Sequence, residues 1–418
     1  MDKFTINSTK SLNGKVIIGG AKNAVLPLMT ACIINPGIYK LNNVPILRDT
    51  LTMAKLLKMV GAEVKINENT FTINTEGCNS PYAPYDLVKT MRASFYVLGP
   101  FMSRFKKAQV SLPGGCAWGP RPVDFHIKAL KKMGAKIELS GGYINSEGEL
   151  YGTDIVFDKS SVGATGNIIM AAVKAKGITK ILNAAMEPEI DSLIEFLQMM
   201  GSDIKREKDG SVVITGVNKL KNRVTYDVIP DRIEAGTFMI AAAMCGGDVT
   251  LKKVNPNHLT IVTNKLIDAG AKINISDDQI NVKMINRPNS IDMTTAIYPG
   301  FPTDLQAQWM ALMTIAKGSC TVTDTIYTDR FTHIAELERL GAKIHLDNNV
   351  AHITGVKKLI GAEVMSTDIR ASASLVIAGM YSTNETQISR IYHIDRGYED
   401  IEKKFNKLGA QITRVSWQ

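Results

Sequence analysis

Apolar residues along the chain follow two rhythms, one helical and one extended. Leu193, Phe196, Leu197 and Met200 stand at i, i+3, i+4 and i+7, which marks one apolar helix face. Gly201 comes next, where a residue in the left-handed conformation stops a helix. In another copy of the same phrase, Ala135, Ile137 and Leu139 alternate and predict a half-buried strand. Helix, tight turn and strand return six times, as LLKMVGAEVKI, ALKKMGAKIEL, FLQMMGSDIKR, KLIDAGAKINI, ELERLGAKIHL and KKFNKLGAQITRV. The glycines of these phrases, Gly61, Gly134, Gly201, Gly270, Gly341 and Gly409, are 73, 67, 69, 71 and 68 residues apart. Six copies so evenly spaced are an internal repeat.

A second phrase precedes each copy: AKNAVLPLMTACII, TMRASFYVLGPFM, SVGATGNIIMAAV, DRIEAGTFMIAAAM, PTDLQAQWMALMTIA and DIRASASLVIAGM. These stretches are apolar on nearly every side, so they predict buried helices, with charged and hydroxyl residues gathered at their N-terminal ends. A repeat is then a buried helix, a strand, an amphipathic outer helix and two strands, an α/β unit with helices inside a layer of sheets. Six repeats divide into two sets of three, with a break expected near Pro230. The last repeat has too little chain after Val415 for its final strand. Phe4-Thr5-Ile6-Asn7 matches Phe71-Thr72-Ile73-Asn74 and can supply it. The expected domains are therefore 21–229, and 1–20 with 230–418. Two crossings, near 20 and near 230, would form a hinge suited to closure over a cleft.

Length and composition agree with this division. The chain has 418 residues, and chains beyond about 250–300 residues usually split into domains. Apolar residues make up 45% and charged residues 21%, which excludes disordered and fibrous classes. Apolar runs such as Phe238 to Gly247 fall short of the roughly 20 residues that cross a bilayer, so no membrane span is expected. MDKFTINSTK lacks the apolar core of a signal peptide, and a cytoplasmic location is the expectation. Five widely spaced cysteines form neither a disulfide framework nor a zinc cluster, and no metal site is expected. Basic residues number 49 against 40 acidic ones. That surplus is dispersed and aromatics are only 6%, which suits a small polyanionic substrate better than nucleic acid. Neither a G-x-G-x-x-G after a strand nor a P-loop occurs, so nicotinamide and nucleoside triphosphate chemistry have no support.

Candidate chemistry gathers at two kinds of place. In SLPGGCAWGPRPVD, Cys116 lies between a glycine pair and Arg121, and a nearby cation lowers a thiol pKa. Cys116 is thus either a reactive thiol or a small residue packed in a turn. Cys32, Cys245 and Cys320 fall in apolar segments and read as core; Cys78 falls in a loop. The other place is the starts of the buried helices, which carry Lys22-Asn23, Arg92, Lys159 to Gly163, Asp231-Arg232-Glu234, Asp304 and Asp368-Arg370. Such ends attract anions, but ordinary capping explains Ser and Asp there equally. Asp304 is a candidate base, and periodicity does not choose it over Asp231 or Asp368. Arg330 and Arg396 have surface salt bridges as their default reading. No histidine is singled out by its spacing.

The stretches GGAKNAVLPLM, MRASFYVLGP, LPGGCAWGPRPVD, SVGAT, DRIEAGTF, YPGFPTDLQAQ, DIRASASLVIAGM and IYHIDRGYE together resemble the enolpyruvyl transferase family over essentially the whole chain. The resemblance implies a two-lobed inside-out α/β barrel, each lobe made of three β-α-β-α-β-β repeats around buried helices. It implies transfer of the enolpyruvyl group of phosphoenolpyruvate to a sugar hydroxyl with release of phosphate. No cofactor or metal, no nucleic acid and no membrane partner are implied. In the branch these motifs most resemble, the acceptor is the 3-hydroxyl of UDP-N-acetylglucosamine, peptidoglycan synthesis follows, and fosfomycin alkylates the loop cysteine. Carried over residue by residue, Cys116 resembles a general acid toward C3 of phosphoenolpyruvate. Lys22, Arg121 and Arg396 match phosphate and carboxylate ligands, and Asp304 the carboxylate facing the acceptor hydroxyl. Asn23 and Arg92 match residues where the substrates meet. Arg121, Pro122, Val123, Asp124 and Phe125, with Lys159, Ser161, Val162 and Gly163, match uridine and diphosphate contacts. Ile326 matches a nucleotide-sugar contact, Arg330 lies in a ligand-contacting region, and Asp368 with Arg370 match paired groups in the cleft. Trp118, Gly166-Asn167 and Ile326-Tyr327 depart from the commonest pattern.

Two other readings remain at this level. One is the shikimate branch of the same family, which resembles the Cys116 loop poorly. The other is a non-catalytic repeat protein that binds nucleic acid, compatible with pseudo-symmetry and positive charge.

Overall fold

The structure, a computed structural model, describes residues 2–89, 91–112 and 123–416, with Arg92 described by its backbone alone. Cys116, Trp118, Arg121 and Pro122 lie outside the described residues. The chain divides into two compact units, Gly20–Ile229 and Met1–Gly19 with Pro230–Gln418.

Among the described residues, each unit holds three four-stranded sheets of one topology. In Gly20–Ile229, one sheet runs Tyr82–Ala83, Lys107–Ser111, Tyr143–Glu147 and Lys136–Ser140. Its first two strands are parallel and joined through a buried helix; the other two form an antiparallel hairpin. The same order recurs in Asp154–Val156, Ile178–Leu182, Val212–Thr215 and Asp203–Arg206. In the third sheet the parallel partner of Ile38–Asn42 is Arg223–Asp227, so the two ends of this unit's chain lie side by side.

The unit formed by the two chain segments repeats the plan. Its sheets centre on Gly247–Lys252 with Gln279–Met284, on Ser319–Thr323 with Val350–Thr354, and on Thr386–Ser389 with Lys3–Asn7. Lys3–Asn7 pairs antiparallel with both Thr386–Ser389 and Gln411–Val415. Thr70–Asn74 stands in the same relation to Ile38–Asn42 and Glu63–Asn67.

All six repeat glycines have φ between +90° and +107°. In each, the glycine N–H donates to the carbonyl three residues back and the next N–H to the carbonyl five back, as in Gly61 to Lys58 and Ala62 to Leu57. This is the Schellman stop, closed by an apolar pair such as Leu57 with Ala62 or Phe405 with Ala410. The pattern "Leu or Phe, three residues, Gly, Ala or Ser" is therefore a physical unit: it ends the outer helix and aims the chain back along the sheet.

The inner helices Lys22–Ala31, Val162–Ala172, Arg232–Cys245, Gln306–Met313 and Ile369–Tyr381 are buried along nearly their whole length. The last three pack against one another inside their unit. Two expectations need correction. Leu139 is 57% exposed, because Lys136–Ser140 is the outermost strand of its sheet. The inner helix of the second repeat is broken into a 3-10 turn, Arg92–Val97, followed by an α-helix, Leu98–Phe105. Asn167 from the neighbouring helix causes the break. Its Oδ1 accepts from Gly99 N at 2.6 Å and its Nδ2 donates to Phe95 O at 3.0 Å, so the amide occupies the Phe95–Gly99 helical hydrogen bond. A Cβ on Gly99 would meet Asn167 O at 2.2 Å, which is why this position is glycine.

Candidate active site

Three inner helices of the two-segment unit begin differently, and the difference separates its three aspartates. Asp231 caps Arg232–Cys245, accepting from the N–H groups of Ile233 and Glu234 at 2.8 and 3.1 Å. Asp368 caps Ile369–Tyr381 through Arg370 N and Ala371 N at 2.6 and 3.1 Å. Asp304 lies in a 3-10 turn, Thr303–Leu305, ahead of Gln306–Met313. Its carboxylate faces guanidiniums: Arg330 Nη1 is 2.8 Å from Oδ1, and Arg370 Nε is 3.5 Å from Oδ2. Two aspartates thus serve their own helices, while the third is presented by side-chain ion pairs and remains 26% exposed.

The surface reading of Arg330 is corrected. Its side chain is largely buried, and a second contact, 3.9 Å from Asp368 Oδ1, joins it to the next helix start. Burial alone would lower its pKa; the Asp304 and Asp368 carboxylates outweigh that and raise it. Arg370 is more deeply enclosed, with its guanidinium 5.2 Å from the Tyr398 ring centre. Burial opposes its charge, but the Asp304 and Asp231 carboxylates and a hydrogen bond to the Tyr398 hydroxyl hold it protonated. Among the described residues its Nη1 and Nη2 have no hydrogen-bond partner beyond the Tyr398 hydroxyl, and Asp368 Oδ2 has none. Buried polar groups are nearly always paired, so a guanidinium with this much unused donor capacity can receive further acceptors. A carboxylate or phosphate fits its fork.

Residues that the motifs contain but to which the sequence assigns no role steady this cluster. Gln308 Nε2 lies 3.1 Å from both Asp304 O and the Tyr398 hydroxyl, and 3.2 Å from Thr237 Oγ1. Thr237 and Tyr398 hydroxyls are 2.9 Å apart. Burial pushes the Tyr398 phenol pKa up, keeping it neutral beside Arg370. His333 is fully buried, with Nε2 donating to Met310 Sδ at 3.2 Å. Burial lowers its pKa to about 4.

The Gly20–Ile229 unit carries the other candidates. Lys22 opens its helix almost buried, 3.6 Å from Asp49 in the first turn of Arg48–Val60. Asn23 follows it, and Arg92 opens the 3-10 turn by its backbone. Ser161 caps Val162–Ala172, its Oγ accepting from Ala164 N at 3.3 Å. A Cβ on Gly163 would sit 3.6 Å from His126 Nε2. His126 Nδ1 accepts from Asn167 Nδ2 at 3.1 Å, so Nε2 carries the proton near that helix start. His126 was not distinguished by spacing; only its place two residues after Asp124 in the motif could have drawn attention to it. Val123 precedes the outer helix, Asp124 opens it 3.5 Å from Lys128, and Phe125 packs against Phe157. Lys159 is exposed.

Asp304, Arg330, Asp368 and Arg370 are thus brought into one ion-pair network. Ile326, 37% exposed, follows the strand Ser319–Thr323, and Arg396 ends the 3-10 turn Ile391–Arg396. Cys78 is buried, and with Cys32, Cys245 and Cys320 belongs to the core, where burial raises all four thiol pKa values. No group of histidine, cysteine and acidic side chains suited to a metal occurs among the described residues, and none of their helices is long and apolar enough to cross a membrane.

The chain is similar to known proteins. UDP-N-acetylglucosamine 1-carboxyvinyltransferase of Chlorobium luteolum is 48% identical over 421 residues, spanning 100% of this chain and 99% of that protein. The enolpyruvyl transferase NikO from Streptomyces tendae has a TM-score of 0.91 at 21% identity, over 100% of this chain and 99% of its own. EPSP synthase from Acinetobacter baumannii has a TM-score of 0.78 at 21% identity, over the full length of both. The fold is that of the enolpyruvyl transferases. Residues 6–405 match the EPSP synthase (3-phosphoshikimate 1-carboxyvinyltransferase) family, and the chain belongs to it.

Proposed function

We propose that the protein transfers the enolpyruvyl group of phosphoenolpyruvate to the 3-hydroxyl of UDP-N-acetylglucosamine and releases phosphate. The full-length 48% identity to the Chlorobium luteolum enzyme of that name carries this reading. The reaction then opens peptidoglycan synthesis, serves cell shape and division, and takes place in the cytoplasm.

The chemistry asks for an acid, a base and fixed positive charge. Protonation of C3 of phosphoenolpyruvate develops oxocarbenium character at C2, and the acceptor oxygen attacks C2 as its proton leaves. The tetrahedral phospho-lactyl ketal then expels phosphate and gives up a proton from C3, restoring the double bond. In this reading Cys116 is the acid and Asp304 receives the hydroxyl proton. Lys22, Arg121 and Arg396 hold the phosphate and carboxylate. Asn23 and Arg92 stand where the two substrates meet. Arg330, Asp368 and Arg370 line the acceptor side, supported by the ion pairs around Asp304 and the unused donor capacity of the Arg370 guanidinium among the described residues. Ile326 touches the nucleotide sugar, and residues Arg121 to Phe125 with Lys159, Ser161, Val162 and Gly163 hold uridine and diphosphate. General acid catalysis of this kind contributes about 10²–10⁴-fold. Fosfomycin would alkylate Cys116.

The test is phosphate release by the purified protein. Release that requires both phosphoenolpyruvate and UDP-N-acetylglucosamine is expected, with Cys116→Ala folded but nearly inactive. Turnover with shikimate-3-phosphate instead would move the protein to the shikimate branch, and turnover with neither acceptor would overturn the enzymatic reading. Near-wild-type turnover by Cys116→Ala would remove that residue from the acid role.

A further inference from the structure

Asp324 is fully buried, one residue beyond the strand Ser319–Thr323, and no motif marked it. Its Oδ1 accepts from Thr295 Oγ1 at 2.8 Å and from the N–H groups of Ile326 and Tyr327, both at 2.9 Å. Its Oδ2 accepts from Thr303 Oγ1 at 2.7 Å. A hydroxyl has a single proton, so the Thr303 oxygen then presents only lone pairs elsewhere. Arg330 Nη1 lies on that side, 3.3 Å from Thr303 Oγ1 and 2.8 Å from Asp304 Oδ1. The result is a directed chain: the Thr303 hydroxyl donates to the Asp324 carboxylate, Thr303 accepts from Arg330, and Arg330 donates to Asp304. The same carboxylate also fixes the Ile326–Tyr327 turn, whose Tyr327 carbonyl accepts from Arg330 N at 3.0 Å.

We propose that Asp324 is a positioning residue for the reaction: through the Thr303 hydroxyl it aims Arg330 and with it the Asp304 carboxylate. Both ends of the Arg330–Asp304 pair are anchored to one buried acceptor. Thr303 is next to Asp304 in the 3-10 turn, and Arg330 follows the turn that Asp324 closes. If Asp324 only filled a loop, its Thr303 contact would have no consequence beyond stability. If it aims the pair, loss of the Thr303 hydroxyl slows the step in which Asp304 acts and leaves phosphoenolpyruvate binding nearly untouched. The inference rests on the proposed role of Asp304.

The experiment measures kcat and KM for phosphoenolpyruvate in phosphate release with UDP-N-acetylglucosamine, alongside thermal melting. The proteins are wild type, Thr303→Ser, Thr303→Val, Asp324→Asn and the Thr303→Val/Asp324→Asn double variant. Thr303→Val and Asp324→Asn are each expected to lower kcat about 10- to 100-fold, the effect of one hydrogen bond to a charged group, with KM within about threefold. Thr303→Ser keeps the hydroxyl and is expected to stay within about threefold of wild type, and the double variant to be no slower than the worse single one. Wild-type kcat in Thr303→Val, equal losses in Thr303→Val and Thr303→Ser, or multiplicative losses in the double variant would overturn the proposal. If Asp324→Asn does not fold, the comparison of Thr303→Val with Thr303→Ser decides alone. Absence of wild-type turnover would strike the functional reading instead, so the two failures are distinct.

Discussion

Arg370 places its Nε 3.5 Å from Asp304 Oδ2, while its terminal nitrogens have no partner beyond the Tyr398 hydroxyl among the described residues. Arg104 in the other unit is its opposite. Arg104 donates to the carbonyls of Ile33, Thr75 and Cys78 at 3.1, 3.0 and 3.0 Å, so its bonds are internal to the fold. Two arginines of like chemistry are thus expected to fail in different assays. Arg370→Lys keeps the charge but loses the fork; it is expected to cost about 10- to 150-fold in kcat/KM with a small change in melting temperature. Arg104→Lys is expected to lower stability by about 2–4 kcal/mol and to leave kcat/KM of the folded protein within a few-fold. Steady-state kinetics and denaturant melts on both variants check the contrast, and a reversal of the two outcomes would remove the ligand role of Arg370.

His333 makes stability depend on pH. Burial is the main cause of its low pKa, about 4; the Arg330 charge adds to it, and the Asp368 and Asp324 carboxylates work against it. The unfolded chain binds the proton more readily, so stability from the neutral imidazole is fully present above about pH 6.5 and is lost as pH falls toward 4. The shift corresponds to about 3 kcal/mol. His333→Gln removes this term. The difference in urea midpoint between wild type and variant is expected to move against wild type between pH 7 and pH 4.5. Parallel pH curves for the two proteins would show that His333 does not titrate as described.

The repeat was legible because each copy obeys local rules. A Schellman stop needs a glycine at positive φ with an apolar residue four before it and another just after, and Leu130, Gly134 and Ala135 announce it without reference to the rest of the chain. Buried inner helices were legible for a similar reason, as Phe238 to Ala243 has no polar face to expose. Apart from the edge-strand exposure of Leu139, the misreadings come from long-range polar contacts. Asn167 inserts into a helix 68 residues away in sequence and breaks it between Phe95 and Gly99. Arg330 reads as a surface residue until Asp304 and Asp368 meet it. Asp324, Gln308 and Tyr398 act through partners that no spacing brings together. Periodicity records which face is apolar; it carries no information on which buried donor meets which acceptor.

The stop glycines differ in what surrounds them, which separates backbone strain from crowding. A Cβ on Gly201 or Gly341 would meet nothing within 4 Å, so Gly201→Ala and Gly341→Ala pay only for the left-handed conformation, about 1–2 kcal/mol. A Cβ on Gly61 would approach Gly77 O to 2.6 Å, and both positions are backbone that cannot turn aside. Gly61→Ala is therefore expected to cost more than either. Equal losses in equilibrium unfolding across the three variants would mean that the Gly61 contact relaxes freely.

Phe4 and Phe71 are both fully buried on corresponding inner strands of their four-stranded sheets, one near the start of the chain and one in the first repeat. Lys3–Asn7 lies between Thr386–Ser389 and Gln411–Val415, so it supplies backbone partners to both neighbours as well as the Phe4 and Ile6 side chains to the core. A strand inside a sheet cannot be given up without leaving both neighbours unpaired. Phe4→Ala is expected to destabilise the fold by about 3–5 kcal/mol, as is Phe71→Ala, while Thr5→Ala on the opposite face of the strand stays within about 1 kcal/mol. Denaturant unfolding of the three variants tests the equivalence. A loss below about 1 kcal/mol for Phe4→Ala beside a full loss for Phe71→Ala would mean that the first strand only decorates its sheet and that the sixth repeat is stable without it.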